Sequence, residues 1–306
     1  MIKSFQDLIE MAKKSGSKCK VAVIWPDDPH TMEAVHDAWK QELILPVFYG
    51  KPQNIEKYWN AEYAGEAMPE VIRCDSAQDS VELAIKHVRE GVIGCLMKGT
   101  VETAVLMKAV VNKEQGIRAS DTLSVLGMVE SPYYHKLFAV TDCGLLMYPT
   151  LEQKQAALCN AVKVFHSLGN QCPEVSVLAA VEHVNPKMPE SVEAGKLKEH
   201  WQNGEIAGCI VEGPISYDLS MDAEAAQIKG YSSPVCGETD ILVVPDIASG
   251  NLLIKSLMFT GGARVAGIVC GAQVPIILNS RAASSEDKYL SILLSAAIYT
   301  GSSAKQ

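Results

Sequence analysis

Short apolar runs alternate with helical patterns along nearly the whole chain. The runs are KVAVIW (20–25), ILPVFYG (44–50), EVIRC (70–74), VIGCLM (92–97), KLFAVTD (136–142), EVSVLAAV (174–181), IAGCIVEG (206–213), ILVVPD (241–246), RVAGIVCG (264–271) and PIILN (275–279). Each is rich in β-branched or other apolar residues and bounded by turn or polar residues, as expected of strands buried on both faces. Between most of them lie segments with helical apolar spacing, such as SAQDSVELAIKHVREG and TLEQKQAALCNAVKVFHSLG, the second closed by Gly169 as a C-terminal cap. This alternation predicts an α/β protein with mostly parallel sheets. Ten strands are many for one sheet, which predicts two packed α/β units. No internal repeat or Pro/Gly/Ser linker marks the boundary, and the cleanest break falls at MYPT (147–150).

Composition narrows the partners. The net charge of −9 opposes binding to nucleic acid or an anionic membrane, while leaving room for a small anion held by local Arg or Lys residues. No uninterrupted apolar run reaches about 18 residues, the length a membrane span needs. The N-terminal MIKSFQDLIEMAKKSGSK reads as an amphipathic helix, because acidic residues interrupt any signal-peptide core. The nine cysteines lie singly, several inside apolar runs, and read as reduced, core-filling thiols of a cytoplasmic protein.

In open parallel sheets ligands collect beyond the carboxyl ends of strands, where helix N-termini expose free N–H groups. Four such junctions hold suggestive residues. In CLMKGTVETA, Lys98 and Gly99 leave a strand and Thr100 is placed to cap a helix. In IVEGPISYDLSMD, Glu212, Gly213 and Pro214 end a strand before Tyr217 and Asp218. In TDILVVPDIASGNLLIKSL, Asp246, Ser249, Gly250 and Asn251 join a strand to a helix, and the small residues leave room for a ligand or serve a capped helix. In PIILNSRAASSEDKYLSI, Ser284 and Asp287 have capping-box spacing, while Arg281 sets a guanidinium fork suited to phosphate beside a helix start. The dinucleotide, P-loop, zincin and hydrolase-elbow motifs do not occur, and the seven histidines are scattered, His183 after a strand being the most noteworthy.

Taken in order, the segments LMKGTVETAVLMKAVVNKEQGIR, VEGPISYDLSMDAEAAQIKG, TDILVVPDIASGNLLIKSL and PIILNSRAASSEDKYLSI resemble the phosphate acetyl/butyryl transferase family, its butyryl branch most closely. The resemblance implies two α/β/α domains of isocitrate/isopropylmalate dehydrogenase-like architecture with an interdomain cleft. Residues 1–146 plus 279–306 would form the first and 147–278 the second. It implies reversible acyl transfer between CoA and inorganic phosphate, giving acyl phosphate and free CoA. No metal and no tightly bound cofactor take part, CoA being a substrate, and the protein would be a cytoplasmic homo-oligomer. On the family pattern Ser280 would hydrogen-bond the reacting carbonyl or phosphate, Arg281 would neutralise phosphate, and Asp287, or the adjacent Glu286, would be the thiol base. Lys98, Gly99 and Arg118 would lie on the phosphate side, and Gly213, Asp246, Gly250 and Asn251 on the CoA side. The alternatives are a phosphate acetyltransferase and a catalytically inert CoA-binding protein. A dehydrogenase of related architecture is disfavoured by the lack of a carboxylate cluster suited to a metal and of a nucleotide fingerprint.

Overall fold

The structure, a computed structural model, describes residues 2–14, 18–279 and 283–303. The chain runs through α1 (Phe5–Lys14), β1 (Cys19–Ile24), α2 (Pro29–Lys40), β2 (Ile44–Gly50), α3 (Pro52–Tyr63), β3 (Glu70–Arg73), α4 (Ala77–Arg89), β4 (Cys95–Lys98) and α5 (Thr103–Val110). It continues through β5 (Ser124–Glu130), β6 (Phe138–Thr141), α6 (Leu151–Ser167), β7 (Glu174–Leu178), α7 (Pro189–Gln202), β8 (Ile210–Ile215), α8 (Tyr217–Met221) and α9 (Ala223–Ile228). It ends with β9 (Ile241–Val243), α10 (Ile247–Phe259), β10 (Arg264–Cys270), β11 (Ile276–Ile277) and α11 (Ser285–Ser303). All ten expected runs contain a strand; β5 is the addition. Among the described residues no helix is long and apolar enough to cross a membrane.

Two compact units result. The first comprises Phe5–Asp121 and Ala266–Gln306, the second Met1–Ser4 and Thr122–Val265. These limits differ from the expected breaks at 146/147 and 278/279, and strand pairing explains why. β5 pairs antiparallel with β6, which pairs parallel with β9, so residues 122–146 join the second unit. β10 pairs antiparallel with β11, which pairs parallel with β4, so the chain returns to the first unit well before residue 279.

In the first unit the strand order is β3-β2-β1-β4-β11-β10. Val21, Ala22, Val23 and Ile24 of β1 are all inaccessible, as a parallel strand covered on both faces requires. Phe5, Leu8 and Ala12 form one stripe of α1 and pack it against α11. In the second unit the order is β5-β6-β9-β7-β8. There Val129, Phe138, Val140, Leu242 and Val244 form a core on which Leu253, Ile254, Leu257 and Met258 of α10 rest. Thr150 and Gln153 form a capping box at the start of α6, and Gly169 lies just past its end with φ +94°, as its sequence position predicted.

Candidate active site

β1, β2, β4 and β11 are parallel, so their carboxyl ends share one edge of the first unit. β1 leads into Trp25, held at φ 54°, a backbone region L-residues seldom occupy. The Trp25 carbonyl accepts from the amides of Asp27 and Thr100. Asp28 then caps α2, whose first residue is Pro29, a ring already set for a helix start. From β4, the Gly99 amide donates to Ile24 O at 2.8 Å, and an added Cβ at Gly99 would lie 2.3 Å from Trp25 O. Only glycine fits between these strand ends. Lys98 is buried and its ammonium donates to Gly99 O (3.0 Å) and Val101 O (3.2 Å). Thr100 does not cap α5: that helix starts two residues beyond its expected position, after Glu102, and the Thr100 hydroxyl donates to Trp25 O instead.

α11 closes the same edge. Ser284 N donates to Asp287 Oδ2 (3.0 Å) and Asp287 N to Ser284 Oγ (3.1 Å), the reciprocal capping box its spacing predicted. The next residue, Lys288, is buried and reaches across to Asp28 Oδ1 (2.8 Å) and Thr31 Oγ1 (3.0 Å). Burial pushes the Asp28 carboxyl up, but hydrogen bonds from Lys288 and Thr31 outweigh it and hold the group below its usual range. Ser291 accepts from Gly267 N (3.0 Å) and Asn279 Nδ2 (3.3 Å) and donates to Asp287 O (2.8 Å). Asn279 Oδ1 is buried with no hydrogen-bond partner among the described residues. Asp28, Lys288 and Asn279 border a cavity of about 360 Å³, together with His30, Lys98, Gly99 and Thr100. A larger groove of about 1010 Å³ runs beside α4 and α5, lined by mixed charges such as Asp79, Glu82, Arg89 and Lys108. It holds none of the residues expected to carry chemistry.

In the second unit β6, β9, β7 and β8 are parallel and again share a carboxyl edge. Asp142 follows β6 and accepts from the amides of Gly144, Leu145 and Leu146 through one oxygen and from Val125 N through the other. Asp246 caps α10 in a box with Ser249, whose amide holds the Asp246 carboxyl below the usual range. Beyond β7 and β8, Glu182 accepts from Ser216 Oγ (2.8 Å) and Lys229 Nζ (3.0 Å), and Lys229 also pairs with Asp218 (3.0 Å). Lys154 of α6, also buried, pairs with Glu193 of α7.

Strand ends that gather lysines beside helix starts suit a small anion, and comparison with known proteins says which chemistry this is. Residues 63–296 match the family described as Phosphate acetyl/butaryl transferase. The chain belongs to this family. It is 38% identical over 291 residues to a phosphate acetyltransferase of Thermotoga maritima, covering 95% of this chain and 98% of the relative. It is 35% identical over 298 residues to a phosphate butyryltransferase of Clostridium acetobutylicum, covering 97% and 99%. A solved branched-chain phosphotransacylase from Enterococcus faecalis V583 superposes with TM-score 0.81 at 30% identity, over 92% of this chain and 99% of that one. The protein is therefore a phosphate acyltransferase.

For this acyltransferase, the fold brings Lys98 and Gly99 to the cavity, and sets Asp287 one position before the cavity-lining Lys288. Ser280 and Arg281 lie outside the described residues. Arg118 is exposed, on a bridge to Ala272, and is not among the cavity lining. Gly213, Asp246, Gly250 and Asn251 all belong to the second unit. The space at Gly250 is filled by the chain itself: an added Cβ would meet Asp142 O at 2.7 Å and Cys143 Cα at 2.9 Å. Gly213 is similarly crowded by Val177 Cβ at 2.9 Å, whereas Asn251 is exposed. Sequence reasoning missed Asp28, Asn279, Lys288 and the Glu182–Lys229 pair. The Asp-Pro step at 28–29 was the available signal for the first, since it marks a helix start.

Proposed function

We propose that this acyltransferase is a phosphate butyryltransferase, moving a short-chain acyl group reversibly between CoA and inorganic phosphate. The observation that carries the reading is the polar cavity where Lys98 and Gly99, at the head of the family-like KGTVETA segment, meet Lys288 in the first turn of α11, next in sequence to Asp287. The KGTVETA and EGPISYD segments favour the butyryl branch, and the likeness to a solved branched-chain phosphotransacylase favours acyl groups larger than acetyl.

In the direction that forms acyl-CoA, the CoA thiol gives its proton to Asp287 and its sulfur attacks the acyl carbonyl. The carbonyl carbon–oxygen bond to phosphate then breaks and phosphate leaves with that electron pair. The Asp287 carboxylate can serve both ends: Oδ2 accepts the Ser284 amide, and Oδ1 remains for the thiol. A thiol of pKa about 8.5 is only about 3% ionised at pH 7, so a base contributes at most about 30-fold, or roughly 2 kcal/mol. Alignment and charge stabilisation supply the rest. Ser280 steadies the carbonyl or phosphate and Arg281 the phosphate charge. Lys98, Gly99 and Arg118 serve the phosphate side, and Gly213, Asp246, Gly250 and Asn251 shape the CoA side. No metal takes part, and the enzyme works as a cytoplasmic homo-oligomer.

Phosphate-dependent release of CoA thiol from acetyl-, propionyl-, butyryl-, isobutyryl- and valeryl-CoA tests the reading. A kcat/KM maximum at butyryl-CoA supports it. A maximum at acetyl-CoA makes the protein a phosphate acetyltransferase, and release from none of them makes it a CoA-binding protein without this activity.

A further inference from the structure

Lys288 joins two helices that are remote in sequence. Its ammonium donates to Asp28 Oδ1 (2.8 Å) and Thr31 Oγ1 (3.0 Å), and the residue is 6% exposed. Asp28 in turn accepts from the Thr31 amide (2.8 Å) and hydroxyl (2.6 Å) at the cap of α2. Three side chains thus form one knot between the first turns of α2 and α11. One turn further along α11, Ser291 binds Gly267 N and Asn279 Nδ2. Asn279 and Lys288 both line the cavity, and in sequence they bracket the segment that carries Ser280, Arg281 and Asp287.

A buried ammonium–carboxylate pair is a weak source of stability, because desolvation consumes most of the attraction and an apolar pair of the same shape does as well. α2 and α11 already pack together, with Met32, Val35 and Leu290 buried. What the knot adds is direction: hydrogen bonds to a capped helix end fix where α11 begins and how its first turn is rotated.

We propose that Lys288 is a positioning residue for acyl transfer, holding the first turn of α11 and its Asp287 carboxylate at the cavity edge through Asp28 and Thr31. The inference rests on the acyltransferase mechanism proposed above. Lys288 acts through Asp287 and touches no reacting atom.

The test compares wild type, Lys288→Met, Asp28→Asn and the double variant Asp28→Asn/Lys288→Met by urea denaturation and by kinetics with butyryl-CoA and phosphate. Lys288→Met strands the half-buried Asp28 carboxylate, so it is expected to lose both stability and kcat. The double variant leaves no unpaired charge. Its urea midpoint should return close to wild type while kcat stays about 3- to 30-fold down, the ceiling set by losing the base, with the KM for butyryl-CoA within about threefold. Recovery of kcat together with the midpoint would overturn the proposal and leave the knot a charge pair only. If the double variant does not fold, Thr31→Val decides, since it removes one hydroxyl and no charge: a fall in kcat at unchanged KM supports positioning, and unchanged kcat overturns it. Phosphate-dependent thiol release by the wild type is measured first. Without it the functional reading fails and takes this inference with it, whereas an active wild type confines every later outcome to Lys288.

Discussion

Gly99→Ala is the sharpest perturbation the fold offers. The added Cβ would lie 2.3 Å from Trp25 O, 2.7 Å from Ile24 O and 2.8 Å from Trp25 C, all backbone atoms that cannot swing aside. Ordinary contact needs about 3.5 Å, so the ends of β1 and β4 must part by roughly 1 Å. Overpacking of this kind costs about 1–3 kcal/mol. The same movement stretches the bonds from Gly99 N to Ile24 O and from Thr100 N to Trp25 O, now 2.8 and 2.9 Å. Those are worth about 1 kcal/mol each, which brings the expected loss to about 3–5 kcal/mol. Urea unfolding followed by tryptophan fluorescence reads this well, because Trp25, Trp39 and Trp59 lie in the first unit and Trp201 in the second. With a slope of about 1–3 kcal/mol per molar, the midpoint of the first unit should fall by at least about 1 M. Displacing Lys98 and the cavity wall by about 1 Å should also lower kcat/KM by about 100-fold. Gly267→Ala is the control, since a Cβ there meets nothing within 4 Å. If the two variants unfold at the same urea concentration and turn over at the same rate, the strand-end argument is wrong.

Three further outcomes are expected. Asp287→Asn keeps an oxygen to accept from Ser284 N, so it should preserve the cap, depress turnover by up to about 30-fold near pH 7 and recover partly at alkaline pH; a loss independent of pH would leave Asp287 a cap alone. Arg281→Ala should raise the KM for phosphate and lower kcat, and unchanged phosphate kinetics would remove Arg281 from the site. Glu174, facing Lys136, Glu238 and Asp240, has its carboxyl pushed up to about 7 by burial and by Asp240, against the pull of Lys136. The folded protein therefore keeps a proton that the unfolded chain releases near 4.5, and stability of the second unit should decline as pH rises from about 4.5 to 7. Glu174→Gln should flatten that decline in urea midpoints followed through Trp201, and an unaltered slope would show that Glu174 does not cause it.

The strands were legible because each buried parallel strand is an unbroken apolar run ending at a turn. β5 (SVLGMVE) was not among the runs read as strands. An added Cβ at its Gly127 would lie 3.0 Å from Ile254 Cδ1 and 3.3 Å from Cys143 Sγ, so this glycine admits α10 against the strand. Missing β5 also misplaced the boundary between the units, since its pairing with β6 is what draws residues 122–146 into the second. At the junction into α10 small residues left room for a ligand, yet at Gly250 the neighbouring backbone takes that space, as it does at Gly99. A glycine in sequence reports a close approach without saying what approaches.

Lys288 shows where one-dimensional reading stops. Residues 290–297 of α11 are buried on every side, so the helix is a core element, and a lysine at its head must find an acceptor or stay in water. Periodicity alone would give that lysine a solvated position. Its acceptor, Asp28, was legible separately as a helix cap before Pro29, but 260 residues of chain separate the two. Each residue satisfies a local rule that conceals the other's need. Only the register of β1, β4 and β11 brings the two helix starts to one edge, and the same register brings Lys98 and Asn279 there. A polar residue with an adequate local explanation can therefore still be the one that orients the chemistry, and the discriminating experiment is one that restores stability without restoring geometry.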